Sequence, residues 1–181
     1  MNKIYHAGAK NKERLFITGG MGYLGSLLAM ESLKKGYDVC LYDSLIYEQN
    51  ITRMLKEISI YKKPSSELKL IIGDTRNTEL FTSSLMDFKP TYVMHFGELS
   101  STYACNHNPT FTEDINYRAS KEVLKICAEL GLKVFYNSSS SLYGTQKEYK
   151  LMKEEDSLPE TTDYYCQFKL KMEEYIKKEI E

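Results

Sequence analysis

The chain has 181 residues, 42% of them hydrophobic and 27% charged, enough apolar material for one globular unit with its own core. Its 24 basic and 25 acidic side chains leave a formal net charge of −1, which gives no support to a nucleic-acid surface or a polybasic membrane patch. No stretch is long and uncharged enough to span a bilayer. Met1 to Glu13 carries charge without an apolar centre, so residues 1–13 read as a loose leader and not as a secretory signal. The cysteines, Cys40, Cys105, Cys127 and Cys166, show no paired spacing. Cys40 and Cys127 read as small core residues, and Cys105-Asn106-His107 as an ordinary loop with no second ligand pair. No metal is expected, and a reducing cytoplasm fits these thiols.

Strand and helix patterns alternate from residue 14 onward. This predicts an α/β fold: a doubly wound parallel sheet of five strands (a Rossmann fold), with helices on both faces in three αβα layers. The first strand, 14–18, runs directly into Gly19-Gly20-Met21-Gly22-Tyr23-Leu24-Gly25, and a helix over 23–35 follows. Gly20, Gly22 and Gly25 satisfy G-x-G-x-x-G, and Gly19, Gly22 and Gly25 satisfy G-x-x-G-x-x-G. Between a strand and a helix, such glycines make a tight turn whose bare backbone admits a pyrophosphate. The helix N-terminus then offers N–H groups and a positive dipole end. That helix places Leu24, Leu27 and Leu28 on one face and stops at Gly36. Asp43 ends the second strand, 38–42, where a carboxylate accepts from adenosine ribose hydroxyls and repels a 2′-phosphate, favouring NAD over NADP.

A helix over 48–60 leads to the third strand, 68–72, which ends at Gly73-Asp74-Thr75-Arg76. Asp74 is placed to accept from the adenine amino group, and the Thr75 N–H to donate to a ring nitrogen. A helix over 77–88 precedes the fourth strand, 91–96, whose end reads His95-Phe96-Gly97-Glu98. The next helix, 110–130, starts after Pro109 and stops at Gly131, and the fifth strand, 133–137, opens into Ser138 to Ser141. Ligands of such sheets bind at the carboxyl ends of the strands. All five polar ends are therefore expected on one crevice.

The last helix, 164–180, carries Tyr165 and Lys169 four residues apart and so on one face. A phenol titrates at about 10 and is a poor base at neutral pH. A neighbouring ammonium and a positive nicotinamide ring are expected to lower that value. The tyrosine then removes a hydroxyl proton while hydride leaves the same carbon for NAD. Ser139, 26 residues upstream at a strand end, offers a hydroxyl to hold the substrate oxygen.

Taken together, these motifs resemble an extended short-chain dehydrogenase/reductase of the NAD-dependent nucleotide-sugar epimerase/dehydratase family. The resemblance runs from about Arg14 to the C-terminus. It rests on Thr18 to Gly25, Asp43-Ser44-Leu45, Gly73 to Arg76, His95-Phe96-Gly97, Asn116, Ser138 to Gly144, and the pair Tyr165 and Lys169. It implies a catalytic triad of Ser139, Tyr165 and Lys169, with Lys169 also on the nicotinamide ribose. Around NAD it implies Gly19, Gly20, Met21, Gly22, Tyr23, Leu24, Gly25, Asp43, Asp74, Thr75, Phe96, Gly97, Asn116, Tyr165 and Lys169, with Asn116 keeping its helix bent behind the site. The substrate set is Glu98, Ser100, Ser139 and Ser140. Glu98 departs from the family's two small residues after His95-Phe96, and Phe168 stands where Ser or Thr often precedes the lysine. The partner implied is a nucleotide-sugar.

Phe168, Met172, Tyr175, Ile176 and Ile180 still run at helical spacing when the sequence stops. The expectation is therefore an N-terminal piece, with further strands and a substrate domain missing and with impaired activity. The alternative is a non-catalytic NAD-binding module or half of a split enzyme, completed by a C-terminal polypeptide. A homodimer through helices 110–130 and 164–181 is the assembly that the resemblance implies.

Overall fold

Strands whose residues are apolar without alternation are buried on both faces, as in parallel sheets covered by helices. β1 (Arg14–Thr18) and β2 (Asp38–Asp43) are such runs, buried from Leu15 to Thr18 and from Asp38 to Tyr42. The computed structural model describes residues 12–47, 50–144, 151–156 and 159–179. Within it, β1 and β2 join β3 (Leu68–Ile72), β4 (Tyr92–His95) and β5 (Lys133–Tyr136) in one sheet of order β3-β2-β1-β4-β5. Every pairing is parallel, and Thr18 lies level with Tyr42 on one side and His95 on the other. The strand order reverses between β1 and β4, so the carboxyl ends part there and open a crevice.

Alternate residues feed two cores, one on each face. Phe16, Cys40, Tyr42 and Val93 pack with Phe81, Leu85 and Phe88 of α3 (Thr78–Phe88) and with Val123 and Cys127 of α6 (Ser120–Glu129). Leu15, Ile17, Val39 and Leu41 pack with Ala29 and Leu33 of α1 (Tyr23–Lys35) and Ile58 of α2 (Ile51–Ser59). The expected three layers result. Burial pushes the Cys40 and Cys127 thiols up to about 12, consistent with a packing role. The α1 face is a correction: Leu24 and Leu27 are 49% and 41% exposed, while Gly25, Ala29, Ser32 and Leu33 face inward. The close approach of α1 to its own turn requires small residues, and this selects the glycine–alanine stripe over the leucines.

Helix ends follow their local chemistry. Asn50, Asn77, Ser101 and Asn108 accept from N–H groups of the first turns that they precede, and Gly36 closes α1 at φ +88°. Residues 48 and 49, the expected start of the second helix, lie outside the described residues. The segment around Cys105-Asn106-His107 is helical, as α4 (Thr102–His107) with Cys105 buried, and not a loop. The helix expected over 110–130 comes as α5 (Pro109–Glu113), a π-helical turn (Asp114–Ala119) and α6. Within that turn Asn116 is fully buried. Its Oδ1 accepts from Leu99 N at 2.8 Å and its Nδ2 donates to Leu99 O at 2.8 Å. α7 (Tyr164–Glu179) closes the described chain and buries Cys166, Phe168, Lys169 and Met172. Phe168 thus serves packing, and Ile180 lies outside the described residues.

Of the leader expected over 1–13, residues 1–11 lie outside the described residues. Lys12 and Glu13 belong to the fold, because both are bonded to Asp38. Asp38 accepts from Lys12 Nζ, from Arg14 Nη1 at 2.6 Å and from Glu67 N at 2.6 Å, and its own N–H donates to Glu13 O at 3.0 Å. Burial pushes the Asp38 carboxyl up. The hydrogen bonds from Lys12 and Glu67, with the charges of Lys12 and Arg14, outweigh burial and hold it below its ordinary value. A carboxyl lowered in the fold stabilises the fold above its unfolded pKa of about 3.9, and that stability is lost as pH falls through the lowered folded value. Asp38→Asn is expected to lose about 1–3 kcal/mol at neutral pH, with the difference narrowing as pH falls below about 3.9, in urea denaturation across pH. In the same measurement Asn116→Leu is expected to cost about 2–4 kcal/mol at every pH, because it strands both main-chain groups of Leu99 in the core.

Candidate functional site

The crevice at the strand ends encloses about 540 Å³ and is walled by the turn after β1, the ends of β2, β3 and β4, and the inner face of α7. Its floor is the glycine turn. Gly19 sits at φ +62°, and a Cβ there would lie 2.5 Å from the Phe96 carbonyl oxygen. Gly25, already inside α1, would drive a Cβ into the Gly19 carbonyl and to 2.8 Å from Gly20 Cα. The turn is therefore closed to side chains for steric reasons. Gly22 precedes α1 without a side chain to cap it, and no acidic residue occupies the first turn. These helix-end N–H groups suit an anion. Met21, Tyr23 and Leu24 line the same wall, with Tyr23 81% exposed.

Asp43 is fastened to this turn. Its Oδ2 accepts from Met21 N at 2.9 Å and its Oδ1 from Leu45 N at 2.8 Å, and Leu45 adopts φ +57°. Each oxygen keeps a further lone pair for a ligand hydroxyl. Asp74 is less free than the sequence suggests, because Arg76 forks onto it with Nη2–Oδ2 at 2.6 Å and Nε–Oδ1 at 3.0 Å. Those bonds hold the Asp74 carboxyl below its ordinary value. Tyr42 Oη donates to Asp74 O at 2.9 Å, which fixes the loop, and buried Thr75 lines the crevice beside it.

At the end of β4, hydrogen bonds run inward in a fixed direction. Thr18 Oγ1 accepts from Gly97 N at 3.0 Å and Phe96 N at 3.2 Å. The Phe96 N–H is shared with Thr18 O at 3.1 Å, so the direction is set from the other end, where Ser120 spends its proton on Glu98: Thr18 Oγ1 donates to His95 Nδ1 at 2.7 Å. His95 must then carry its proton on Nε2 and donate to Ser120 Oγ at 2.9 Å. Ser120 in turn donates to Glu98 Oε1 at 2.9 Å, a nearer and charged acceptor compared with Ile115 O at 3.2 Å. Burial, with the charge of Lys169, lowers His95 to about 3 and keeps the ring neutral. Sequence reasoning missed Ser120. The available signal was its phase: Ser120 falls on the helical face of Val123, Leu124 and Cys127, all buried.

Glu98 lines the crevice and ion-pairs with Lys169 Nζ, their side chains 6% and 4% exposed. Lys169 also donates to Asn137 O and lies 4.6 Å from the Tyr136 ring centroid. Burial pushes the Glu98 carboxyl up, opposed by Lys169, Ser120 and Tyr136. α7 presents Tyr165 and Lys169 on the crevice wall, as their spacing predicts. Asp163 caps that helix, its Oδ1 accepting from Tyr165 N at 2.8 Å. The expected lowering of the Tyr165 phenol is corrected. Burial pushes it up, as does the charge of Glu98, while a hydrogen bond with Ser139 pulls it down.

The remaining residues divide. Phe96, Gly97 and Ser100 line the crevice, whereas Ser139 and Ser140 stand just beyond its wall, at the start of a 3-10 turn (Ser140–Tyr143). Ser139 still reaches the site through Tyr165. Asn116, expected also among the cofactor contacts, is withdrawn from the crevice, because Leu99 takes both ends of its carboxamide. Its place is behind the wall. Among the described residues no cluster of His, Cys, Asp and Glu suits a metal ion, and no helix is long and apolar enough to cross a membrane.

Comparison with known proteins agrees with this geometry. A UDP-glucose 4-epimerase of Klebsiella pneumoniae is 29% identical over 134 residues, covering 74% of this chain and 94% of that sequence. A GDP-mannose 4,6-dehydratase of Vibrio cholerae is 30% identical over 145 residues, covering 76% of this chain and 38% of that one. Among solved structures, the UDP-glucose 4-epimerase of Bifidobacterium longum in complex with NAD+ and UDP superposes with a TM-score of 0.80 at 28% identity, covering 91% of this chain and 48% of that one. The chain thus spans about half the length of the epimerase structures it matches. The sequence profile of the NAD dependent epimerase/dehydratase family matches residues 15–180, and the chain belongs to that family.

Proposed function

We propose that this chain holds NAD along the crevice and serves proton and hydride transfer at a ring carbon of a nucleotide-sugar, with Ser139, Tyr165 and Lys169 as the catalytic triad. One observation carries the reading. The side-chain-free turn at Gly19 and Gly25, the Asp43 carboxylate, and the pair Tyr165 and Lys169 all wall one crevice. The residues fit the dinucleotide, since the turn leaves room that a Cβ would fill and Asp43 is pre-set by two N–H groups. NAD, when bound, supplies the hydride acceptor. The protein supplies the rest: the α1 N-terminus takes the phosphates, Asp43 the ribose hydroxyls, and Phe96 and Gly97 the wall beneath the nicotinamide. Tyr165 exchanges the proton of the sugar hydroxyl, and Ser139, beside Tyr165, holds the same oxygen.

A second reading, an NAD-binding module without turnover, is favoured by the commitment of Lys169 to Glu98. The two readings separate in an assay with UDP-, GDP- and CDP-sugars of the purified chain beside a version extended by the downstream coding sequence. Turnover that disappears in Tyr165→Phe while NAD affinity stays within about twofold supports the first, and NAD binding without turnover supports the second.

Cofactor choice is testable independently. Calorimetric titration is expected to show NAD(H) binding more tightly than NADP(H), because the Asp43 carboxylate repels a 2′-phosphate. Asp43→Ala is expected to weaken NAD by about 1–3 kcal/mol, the cost of leaving hydroxyls without a charged acceptor. Tighter binding of NADP(H) by the parent chain would overturn the assignment.

A further inference from the structure

Lys169 is a buried cation whose close partners are Glu98 and the Asn137 carbonyl, and its Nζ stands 6.0 Å from the Tyr165 ring centroid. A cation paired at contact acts on a third group as half of a dipole, so much of its field at Tyr165 is cancelled by Glu98. The charged and titratable groups facing Tyr165 come from several elements. Glu98 follows β4, Tyr136 belongs to β5, Cys105 to α4, and Cys166 and Lys169 to α7, with the Ser139 hydroxyl beside the phenol. Asp163 caps the same turn of α7. Lys169 is the one cation in that set.

Glu98 is held on its far side as well. The Ser120 hydroxyl donates to Oε1 at 2.9 Å and is itself fixed by His95, which Thr18 orients. The Tyr136 hydroxyl is buried without a hydrogen-bond partner among the described residues, and its influence on the same carboxylate favours the ionised form. Lys169 can only donate, and Ser120 donates too, so the pocket around this carboxyl is built for its ionised form. An ammonium drawn toward the crevice would leave Glu98 behind, because the relay from β1 and β4 anchors the carboxylate and not the lysine.

We propose that Glu98 is a positioning residue for the acid–base pair: it holds the Lys169 ammonium as an internally neutral pair, so that Tyr165 stays a proton donor until a ligand hydroxyl draws the ammonium off. This rests on the reading of Tyr165 as the proton-transfer group, but the ionisation of Tyr165 can be followed without any turnover. A failure of the catalytic reading would therefore leave this test intact.

The experiment follows the phenol in the 181-residue chain labelled with tyrosine carrying carbon-13 at Cζ, with Tyr165→Phe identifying the resonance. Glu98→Gln keeps the size of the side chain and one acceptor oxygen and removes the counter-charge. The Tyr165 midpoint is expected to fall by about one pH unit or more, as an uncompensated ammonium at this range acts on a phenol. Lys169→Met, which leaves the carboxylate alone, is expected to raise it by a comparable amount, about one unit or more. The double variant removes both charges and is expected to return within about half a unit of the parent. A midpoint that Glu98→Gln leaves unmoved, or raises, would overturn the proposal. Where Glu98→Gln alone does not fold, the double variant decides, since it strands no unpaired ion in the core. A midpoint near the parent's supports the proposal, and a rise as large as that of Lys169→Met overturns it. A purely structural role for Glu98 would change the melting temperature of these variants without this pattern of midpoints.

Discussion

The crevice depends on one close approach, that of the turn after β1 to the end of β4. Gly19 leaves no room for a Cβ beside the Phe96 carbonyl, and Thr18 reaches across to take the N–H groups of Phe96 and Gly97. Two parallel strands that part at a topological switch point would otherwise leave a loose gap. Here the gap is stapled at its base, and other strand ends are fastened to the same frame. Asp43 ties β2 to the turn through Met21 N, while Asn116 ties the segment after β4 through Leu99. The wall on which a dinucleotide would lie is thus set before any ligand arrives, which is how a site keeps the cost of ordering out of its binding free energy.

What the sequence made legible was local. The glycine turn, the acid at the end of β2 and the alternation of strands and helices each follow from steric rules acting over a few residues. Where the decision lay between distant residues, local rules failed. Leu24 and Leu27 form an apolar stripe by spacing alone, but the short distance from α1 to its own turn gives that face to Gly25 and Ala29. The tyrosine and lysine of α7 were placed correctly on one face and on the crevice. Which partner the ammonium would take was not readable, since Glu98 lies on another element and its preference is set by the relay behind it. Burial of the phenol, with the charge of Glu98 added to it, raises Tyr165 where the spacing alone suggests a lowering.

That contact has an energetic logic. A carboxylate and an ammonium buried side by side give back little net stability, because desolvation offsets most of their attraction. Their presence beside a crevice is better understood as an electrostatic setting, fixed by Ser120, His95 and Thr18, which spans the sheet from β1 to α6. Thr18, His95, Ser120 and Lys169 are buried along that line, and Asp38 is buried at the opposite end of the strands. Both faces of the sheet between them are filled by aliphatic and aromatic side chains.

The π-helical turn has a consequence of its own. An α-helix advances about 100° per residue, and a π turn absorbs one residue more than an α turn with little change of axis. The helical phase before the turn and the phase after it are therefore out of step. That offset is what lets Asn116 face Leu99 while Ser120, Val123 and Cys127 face the sheet. Winding Asp114–Ala119 as a regular α-helix with no residue lost would turn α6 by about 100°, more than a quarter turn. Val123 and Cys127 would leave the core, and Ser120 would leave Glu98. The turn is also where this helix can give up one residue and keep its phase, so a single-residue deletion is better tolerated between Asp114 and Ala119 than within α6, where it would rotate every residue that follows.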